Sequence, residues 1–223
     1  MMKAIVLFSG GLDSTTCLAK AIKDYGKDNV LALSILYGQR HDKEIECAKK
    51  IVEYYGVPQK IIDLSPIFEN SDCSLLKTSN IDVPKGEYKE GIQSTYVPYR
   101  NGLFLSVGAS FGLANNYDVL IFGIHKDDQV LQAYPDTSFE FAKAIRDSIY
   151  LGSGKKMEVI APFVHKNKAD IVKEGLKLKV PYELTWSCYE GKEKACGKCA
   201  TCLDRLKAFK ANGRKDPISY EED

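Results

Sequence analysis

Residues 4–18, AIVLFSGGLDSTTCL, decide the fold. A run of apolar and β-branched residues, Ala4–Phe8, stops at Ser9-Gly10-Gly11, takes Asp13 and Ser14, and turns helix-like. Short apolar runs bounded by turn residues read as buried strands, and apolar positions three and four apart read as helices. The helix here is Ser14–Tyr25, with Cys17, Leu18, Ala21 and Ile22 on one face. The alternation continues along the chain. Strands are predicted over Val30–Tyr37, Lys60–Leu64, Val119–Gly123 and Met157–Ile160, and helices over Asp42–Tyr55, Asn101–Asn116, Ser138–Leu151 and Asn167–Lys177. Strands separated by helices need crossovers, so the expected fold class is α/β, a doubly wound, mainly parallel sheet with helices on both faces. Residues 65–95 show no period and read as a long loop. The polar stretch from Gly213 to Asp223 is expected to be loose.

Composition sets the bounds around that pattern. A chain of 223 residues suits a single domain spanning residues 1–223. Lys and Arg total 31 against 30 Asp and Glu, so the net charge of +1 gives no footprint for nucleic acid. The apolar runs are too short to span a membrane, and the N-terminal MMKAIVLF is too short for a signal-peptide core. Seven cysteines, an odd number without an export signal, argue against a disulfide framework and for the cytoplasm.

The loop after the first strand carries the chemistry. In open α/β sheets ligands sit beyond the carboxyl ends of strands, where Ser9–Ser14 falls. Glycines let successive N–H groups converge on an anion, and the helix that follows adds its N-terminal dipole. Ser9, Ser14 and Thr15 offer hydroxyl donors. A carboxylate repels phosphate unless a cation lies between, so Asp13 points to Mg²⁺ bridging it to a polyphosphate. The simpler reading is a helix cap with glycines for a tight turn. A Walker A loop is excluded, because G-x-x-x-x-G-K-[ST] is absent.

A second signal lies near the C-terminus. SCYEGKEKACGKCATC places Cys188, Cys196, Cys199 and Cys202 at a spacing that suits one tetrahedral ion, within a segment of about 186–205. Four thiolates close a zinc shell and leave no place for water, which makes the ion structural. An iron–sulfur cluster and a redox dithiol are the alternatives. Lys192, Lys194, Lys198 and Arg205 would offset the thiolate charge. Cys17 and Cys47 fall in helical patterns and read as small buried hydrophobes.

Three stretches remain. VPYRN, 97–101, sets Arg100 and Asn101 at a helix start, where Asn101 as a plain N-cap is the simpler reading. The segment after the fourth strand carries His125, Asp127, Asp128 and Asp136, which suit a polar ligand, a metal or a solvated loop. Lys166 and Lys168 stand near a helix start, where cations are unfavourable without an anion. His165 reads as an ordinary loop residue.

The S-G-G-x-D-S pattern resembles the pyrophosphate loop of the N-type ATP pyrophosphatases, among them GMP synthetase, NAD synthetase and tRNA-thiolating enzymes. FSGGLDSTTCL, YGQRHDKE, VPYRN, YPD, HKNKADIV, LTWSCY and CGKCATCLDRLKAF, in that order, resemble the 7-cyano-7-deazaguanine synthases over residues 3–210. That resemblance implies a Rossmann-like, adenine nucleotide alpha hydrolase-like fold with a C-terminal zinc-binding segment, and commonly a homodimer. It implies an ATP-dependent ligase that takes 7-carboxy-7-deazaguanine and ammonia to the nitrile through an adenylated acid and an adenylated amide. ATP would be held by Phe8, Ser9, Gly10, Gly11, Leu12, Asp13, Ser14, Thr15, Thr16, Cys17 and Leu18. Asp13, Arg100 and Lys168 would be catalytic, and Arg100, Asn101 and Asp136 would bind the base. The four cysteines would hold one Zn²⁺. The chain departs from the family pattern at Thr137-Ser138, where Cys-Arg is frequent, and at Tyr99, where small residues are common. A tRNA-thiolating enzyme, or a related enzyme acting on a different acceptor, is the alternative function.

Overall fold

The computed structural model describes residues 2–40, 42–87, 90–127 and 133–221. Among them, β1 (Ala4–Leu7), β2 (Val30–Leu36), β3 (Gln59–Asp63), β4 (Val119–Ile121) and β5 (Glu158–Ile160) form one sheet. Its order is β3-β2-β1-β4-β5 and every pairing is parallel. The connecting helices are α1 (Leu12–Tyr25), α2 (Lys43–Tyr55), α3 (Ser65–Phe68), α4 (Arg100–Ala114), α5 (Phe139–Gly152), α6 (Lys168–Lys177) and α7 (Ala200–Ala211).

The central strand explains the layers. Ala4, Val6 and Phe8 point into a core shared with Leu18 of α1, Ile51 of α2, Ile171 of α6 and Phe209 of α7. Ile5 points the other way, against Leu105 of α4 and Ile145 of α5. Ala4, Ile5 and Val6 are fully buried. Burying one aliphatic side chain of the size of Val or Ile is worth about 1.5–3 kcal/mol, so a one-residue slip that exchanged the two faces would be strongly resisted. Ala4 accordingly sits opposite Val30 on one side and Val119 on the other. The chain runs outward from β1 to β3, then returns to add β4 and β5 on the opposite side. The switch point therefore falls between β1 and β4, and ligands collect there in such sheets.

The described residues among 65–95 lack regular structure beyond the single turn of α3 and a bridge between Gln39 and Leu76. They are packed all the same. Phe68, Cys73, Leu75, Leu76 and Val83 join Trp186 and the four C-terminal cysteines in a third apolar cluster.

Two features of the C-terminal part differ from the sequence reading. Residues 200–211 form α7, whose buried positions include Cys202, Arg205, Ala208 and Phe209. The tail is also tied down. Asp216 is buried and takes two hydrogen bonds from Arg205, at 2.7 and 3.0 Å, and a third from the Tyr220 hydroxyl at 2.6 Å. Backbone bonds from Ala195 to Ser219 and from Glu221 to Ala195, 3.0 and 2.8 Å, strap the tail against the cysteine segment. The physical reason is the buried guanidinium, which needs a carboxylate beside it and finds it in Asp216. Arg205 is thus committed to Asp216, Thr185 and the Tyr182 carbonyl, not to offsetting thiolate charge.

Candidate active site

The loop after β1 is shaped by contacts on both sides. Gly10 has φ +86°, and a Cβ there would lie 2.6 Å from the Glu44 carbonyl oxygen and 2.7 Å from the Ala48 nitrogen. Both are backbone atoms of α2, so this position admits glycine alone. The Gly10 carbonyl accepts from the Trp186 N–H at 3.1 Å, which latches the loop to the C-terminal segment. The Ser9 and Ser14 hydroxyls lie 3.1 Å apart, and the Gly11 N–H donates to Ser9 Oγ at 3.2 Å.

Not every residue of the 8–18 stretch reaches the cleft beyond β1 and β4. Phe8, Ser9, Asp13 and Ser14 line it. Thr15 and Thr16 are fully buried, and their hydroxyls donate to the Gly11 and Leu12 carbonyls at 2.7 and 2.8 Å. Neither hydroxyl is therefore presented to the cleft as the sequence suggested for Thr15. Leu12, Cys17 and Leu18 belong to the core.

Asp13 is the centre of a charge cluster. Its Oδ2 lies 3.4 Å from Lys168 Nζ and 3.7 Å from His125 Nε2. Burial pushes the Asp13 carboxyl up, but Lys168 and His125 outweigh it, and the group ends below its ordinary value. Oδ1 is buried without a donor among the described residues. An ionised carboxylate with one uncommitted buried oxygen, at a phosphate-shaped loop, fits a hard divalent cation. Lys168 opens α6, fixed by a capping box between Asn167 and Asp170 and by its own N–H donating to Asp127 Oδ2 at 2.8 Å. The anion that a cation at this helix start requires is thus Asp13. Lys166 pairs instead with Glu174, and His165 rests on the Phe139 ring at 4.9 Å. Asp204 of α7 faces the same cluster; burial pushes its carboxyl up, and Lys168 and His125 pull it back. Sequence reading missed Asp204, because α7 itself was missed. Asp128 lies outside the described residues.

The far end of the cleft is built by α2, α4 and the segment before α5. Arg100 stands 5.0 Å above the Tyr37 ring, which in turn lies 6.0 Å from Phe104. Asn101 is not the N-cap of α4. It lies in the first turn, its N–H donates to Asp136 Oδ2 at 2.8 Å, and its side-chain amide donates to the Asp136 carbonyl at 3.2 Å. Asp136 therefore fixes the start of α4 from another segment, and burial pushes its carboxyl up against the pull of that N–H. Arg100, Asn101, Asp136, Lys168, Asp13 and Ser9 all border one cleft of about 270 Å³. Of the departures from the family pattern, Thr137 borders the cleft and Ser138 caps α5. Tyr99 is 57% exposed and takes no part in the lining.

The four cysteines converge as their spacing suggests. Their Sγ atoms all lie within 4.8 Å of one another, and all four residues are buried. Gly197, at φ +68°, turns the chain between them. Backbone N–H groups of Glu190 and Cys196 donate to Cys188 Sγ, and those of Lys198 and Cys199 to Cys196 Sγ, at 3.3–3.4 Å. Hydrogen bonds from Cys188 and Cys202 hold the Cys199 thiol far below the ordinary range, while both partners are pushed up. A cation among closely spaced sulfurs is what lets neighbouring thiolates coexist. The group can hold a metal ion.

A parallel sheet of order 3-2-1-4-5 with S-G-G-x-D-S between β1 and α1 defines the PP-loop class of α/β nucleotide-binding folds. The chain superimposes on the U34-tRNA thiolase NcsA from Methanococcus maripaludis, solved with its [4Fe-4S] cluster, with a TM-score of 0.53. That match covers 95% of this chain and 67% of the thiolase at 19% identity, and speaks for the fold alone. The family model described as queuosine biosynthesis protein QueC matches residues 3–213, and the chain belongs to that family. It is 44% identical over 221 residues to the 7-cyano-7-deazaguanine synthase of Caldicellulosiruptor bescii, covering 99% of this chain and 98% of the relative. The synthase of Caldicellulosiruptor saccharolyticus is 46% identical over 221 residues, 99% and 96% of the two chains. No helix among the described residues is long and apolar enough to cross a membrane.

Proposed function

We propose that this chain is an ATP-dependent 7-cyano-7-deazaguanine synthase that converts 7-carboxy-7-deazaguanine and ammonia to the nitrile, acting in the cytoplasm as a homodimer and without nucleic acid. The observation that carries this reading is one cleft, in a member of this family, joining the Ser9–Ser14 loop to Arg100, Asn101, Asp136 and Lys168. The loop N–H groups and the Ser9 and Ser14 hydroxyls grip the β- and γ-phosphates, leaving the α-phosphorus exposed. Lys168 neutralises charge that develops at the α-phosphate. Mg²⁺ held by Asp13 would offset the charge of the departing pyrophosphate. Arg100, Asn101 and Asp136 place the base.

The chemistry then balances in two rounds. A carboxylate oxygen of the acid attacks the α-phosphorus and pyrophosphate leaves. Ammonia attacks the acyl carbon, and AMP departs with that oxygen, giving the amide. The amide oxygen attacks the α-phosphorus of a second ATP and pyrophosphate leaves; AMP then departs with that oxygen, the nitrogen gives up its two protons, and C≡N forms. Each turnover should therefore yield two AMP and two pyrophosphate, and ¹⁸O in the acid should appear in AMP by mass spectrometry. Supplying the amide directly should halve ATP use and remove the need for ammonia. ADP as the main product, or unlabelled AMP, would overturn the mechanism.

The cysteine group is read as a structural Zn²⁺ site. Four sulfurs gathered within 4.8 Å surround a single ion closely, whereas a cubane cluster holds its sulfurs farther apart. Metal analysis should give about one zinc per chain. Cys199→Ala should lose the metal and unfold or aggregate, since a closed tetrathiolate site couples binding to folding. Iron with visible absorbance would refute the assignment, as would a well-folded metal-free variant.

A further inference from the structure

We propose that Glu44 and Arg100 select the substrate base by its guanine-like edge, Glu44 accepting from N1–H and the 2-amino group and Arg100 donating to O6. This deepens, and rests on, the synthase reading above. Glu44 stands in the first turn of α2, where the backbone is pressed against Gly10 of the nucleotide loop. Its position is therefore fixed relative to the phosphates. The side chain is half-buried and lines the same cleft as Ser9, Arg100 and Asp136.

The other acids of that cleft each have a partner at one oxygen. Asp13 faces Lys168, and Asp136 accepts from the Asn101 N–H. The Glu44 carboxylate stands apart from these pairs. Burial pushes it up to about 7, with Arg100 pulling it back. It borders the cleft, where a bound ligand can supply donors to it. Arg100 is the complementary half, a half-buried cation held over the Tyr37 ring, with Phe104 beyond as an apolar wall for a flat base.

The order of groups decides which base fits. A guanine-like edge runs acceptor, donor, donor, which matches one guanidinium beside one carboxylate. The adenine of ATP offers an amino donor followed by a ring-nitrogen acceptor. In the same place it would set donor against donor and lone pair against carboxylate. A site with buried polar groups rejects the mismatched base because those groups lose their partners. The pair thus also keeps the two nucleobase-like substrates in separate halves of the cleft.

The test is steady-state kinetics on the purified full chain with saturating ATP and ammonia. The acid is compared with its analogue lacking the 2-amino group. For the wild type, kcat/KM should fall about tenfold or more on the analogue. Glu44→Gln should lose about a hundredfold on the natural acid, with the KM for ATP unchanged within about twofold, and its discrimination between the two acids should collapse. Glu44→Ala should behave alike. A Glu44→Gln enzyme that still discriminates, or one whose ATP KM rises in parallel, overturns the assignment. Wild-type protein that makes no nitrile from the natural acid overturns the synthase reading itself, a separate result.

Discussion

Replacing Lys168 by alanine should lower the rate of nitrile formation on the order of 10²–10³-fold, the size expected when one preorganised charge is removed from a transition state. The residue is only 12% exposed at its side chain and faces Asp13 at 3.4 Å. Its backbone is held by Asp127, so the charge is placed by α6 before any ligand arrives. A cation at a helix start works against the helix dipole, and Asp13 compensates it here while both side chains border the cleft. The loss should fall mainly on kcat, with a smaller change in the KM for ATP, because the loop N–H groups still grip the outer phosphates. Lys168→Arg, which keeps the charge in a different shape, should recover part of the rate. Wild-type turnover in Lys168→Ala would remove this residue from the chemistry.

Asp216→Ala should be the most destabilising single change outside the metal group. Both side chains of the Arg205–Asp216 pair are 1% exposed, and removing one partner leaves a buried charge uncompensated. Such losses cost about 3–5 kcal/mol, a large share of the stability of an ordinary domain. In a chain of this length that is a fall of roughly 6–20 °C in melting temperature. The double replacement Arg205→Met with Asp216→Leu should regain most of it, because apolar groups of similar volume do not need each other's charge. A single variant melting within a degree or two of the parent would show the pair to be incidental.

Much of this was legible in the chain. The strands and the larger helices of the first 180 residues end within about two residues of their expected bounds, because each carries a clear period and ends on turn residues. The Ser-Gly-Gly loop and the four cysteines were legible because their chemistry depends on local spacing. What escaped depends on distant partners. α7 escaped because its buried positions are filled by Cys202, Arg205 and Ala208 as well as Phe209, a set without an apolar signature. The tail read as loose because a polar Asp216 betrays nothing of Arg205 eleven positions earlier. Nothing in the sequence sets Glu44 apart, because it stands in a first helical turn, where acids are at home for reasons of the dipole alone. Its place in the cleft follows from the crossover that brings α2 against Gly10. The meeting of Asp13, His125, Lys168 and Asp204 takes four separate elements, and no spacing in the sequence announces it.

The strap formed by residues 214–221 ties the loop after β1 to a segment remote in sequence. The Gly10 carbonyl is held by Trp186, and the segment carrying Trp186 is closed by Arg205 with Asp216 and by the bridge from Ala195 to Tyr220. The loop that opens α1 is therefore supported by residues 214–221, remote from it in the sequence. A chain released early, short of Asp216, carries every residue of the loop and all four cysteines, yet lacks the carboxylate that lets Arg205 be buried. Truncation before Asp216 should therefore leave the latch on the nucleotide loop without its support.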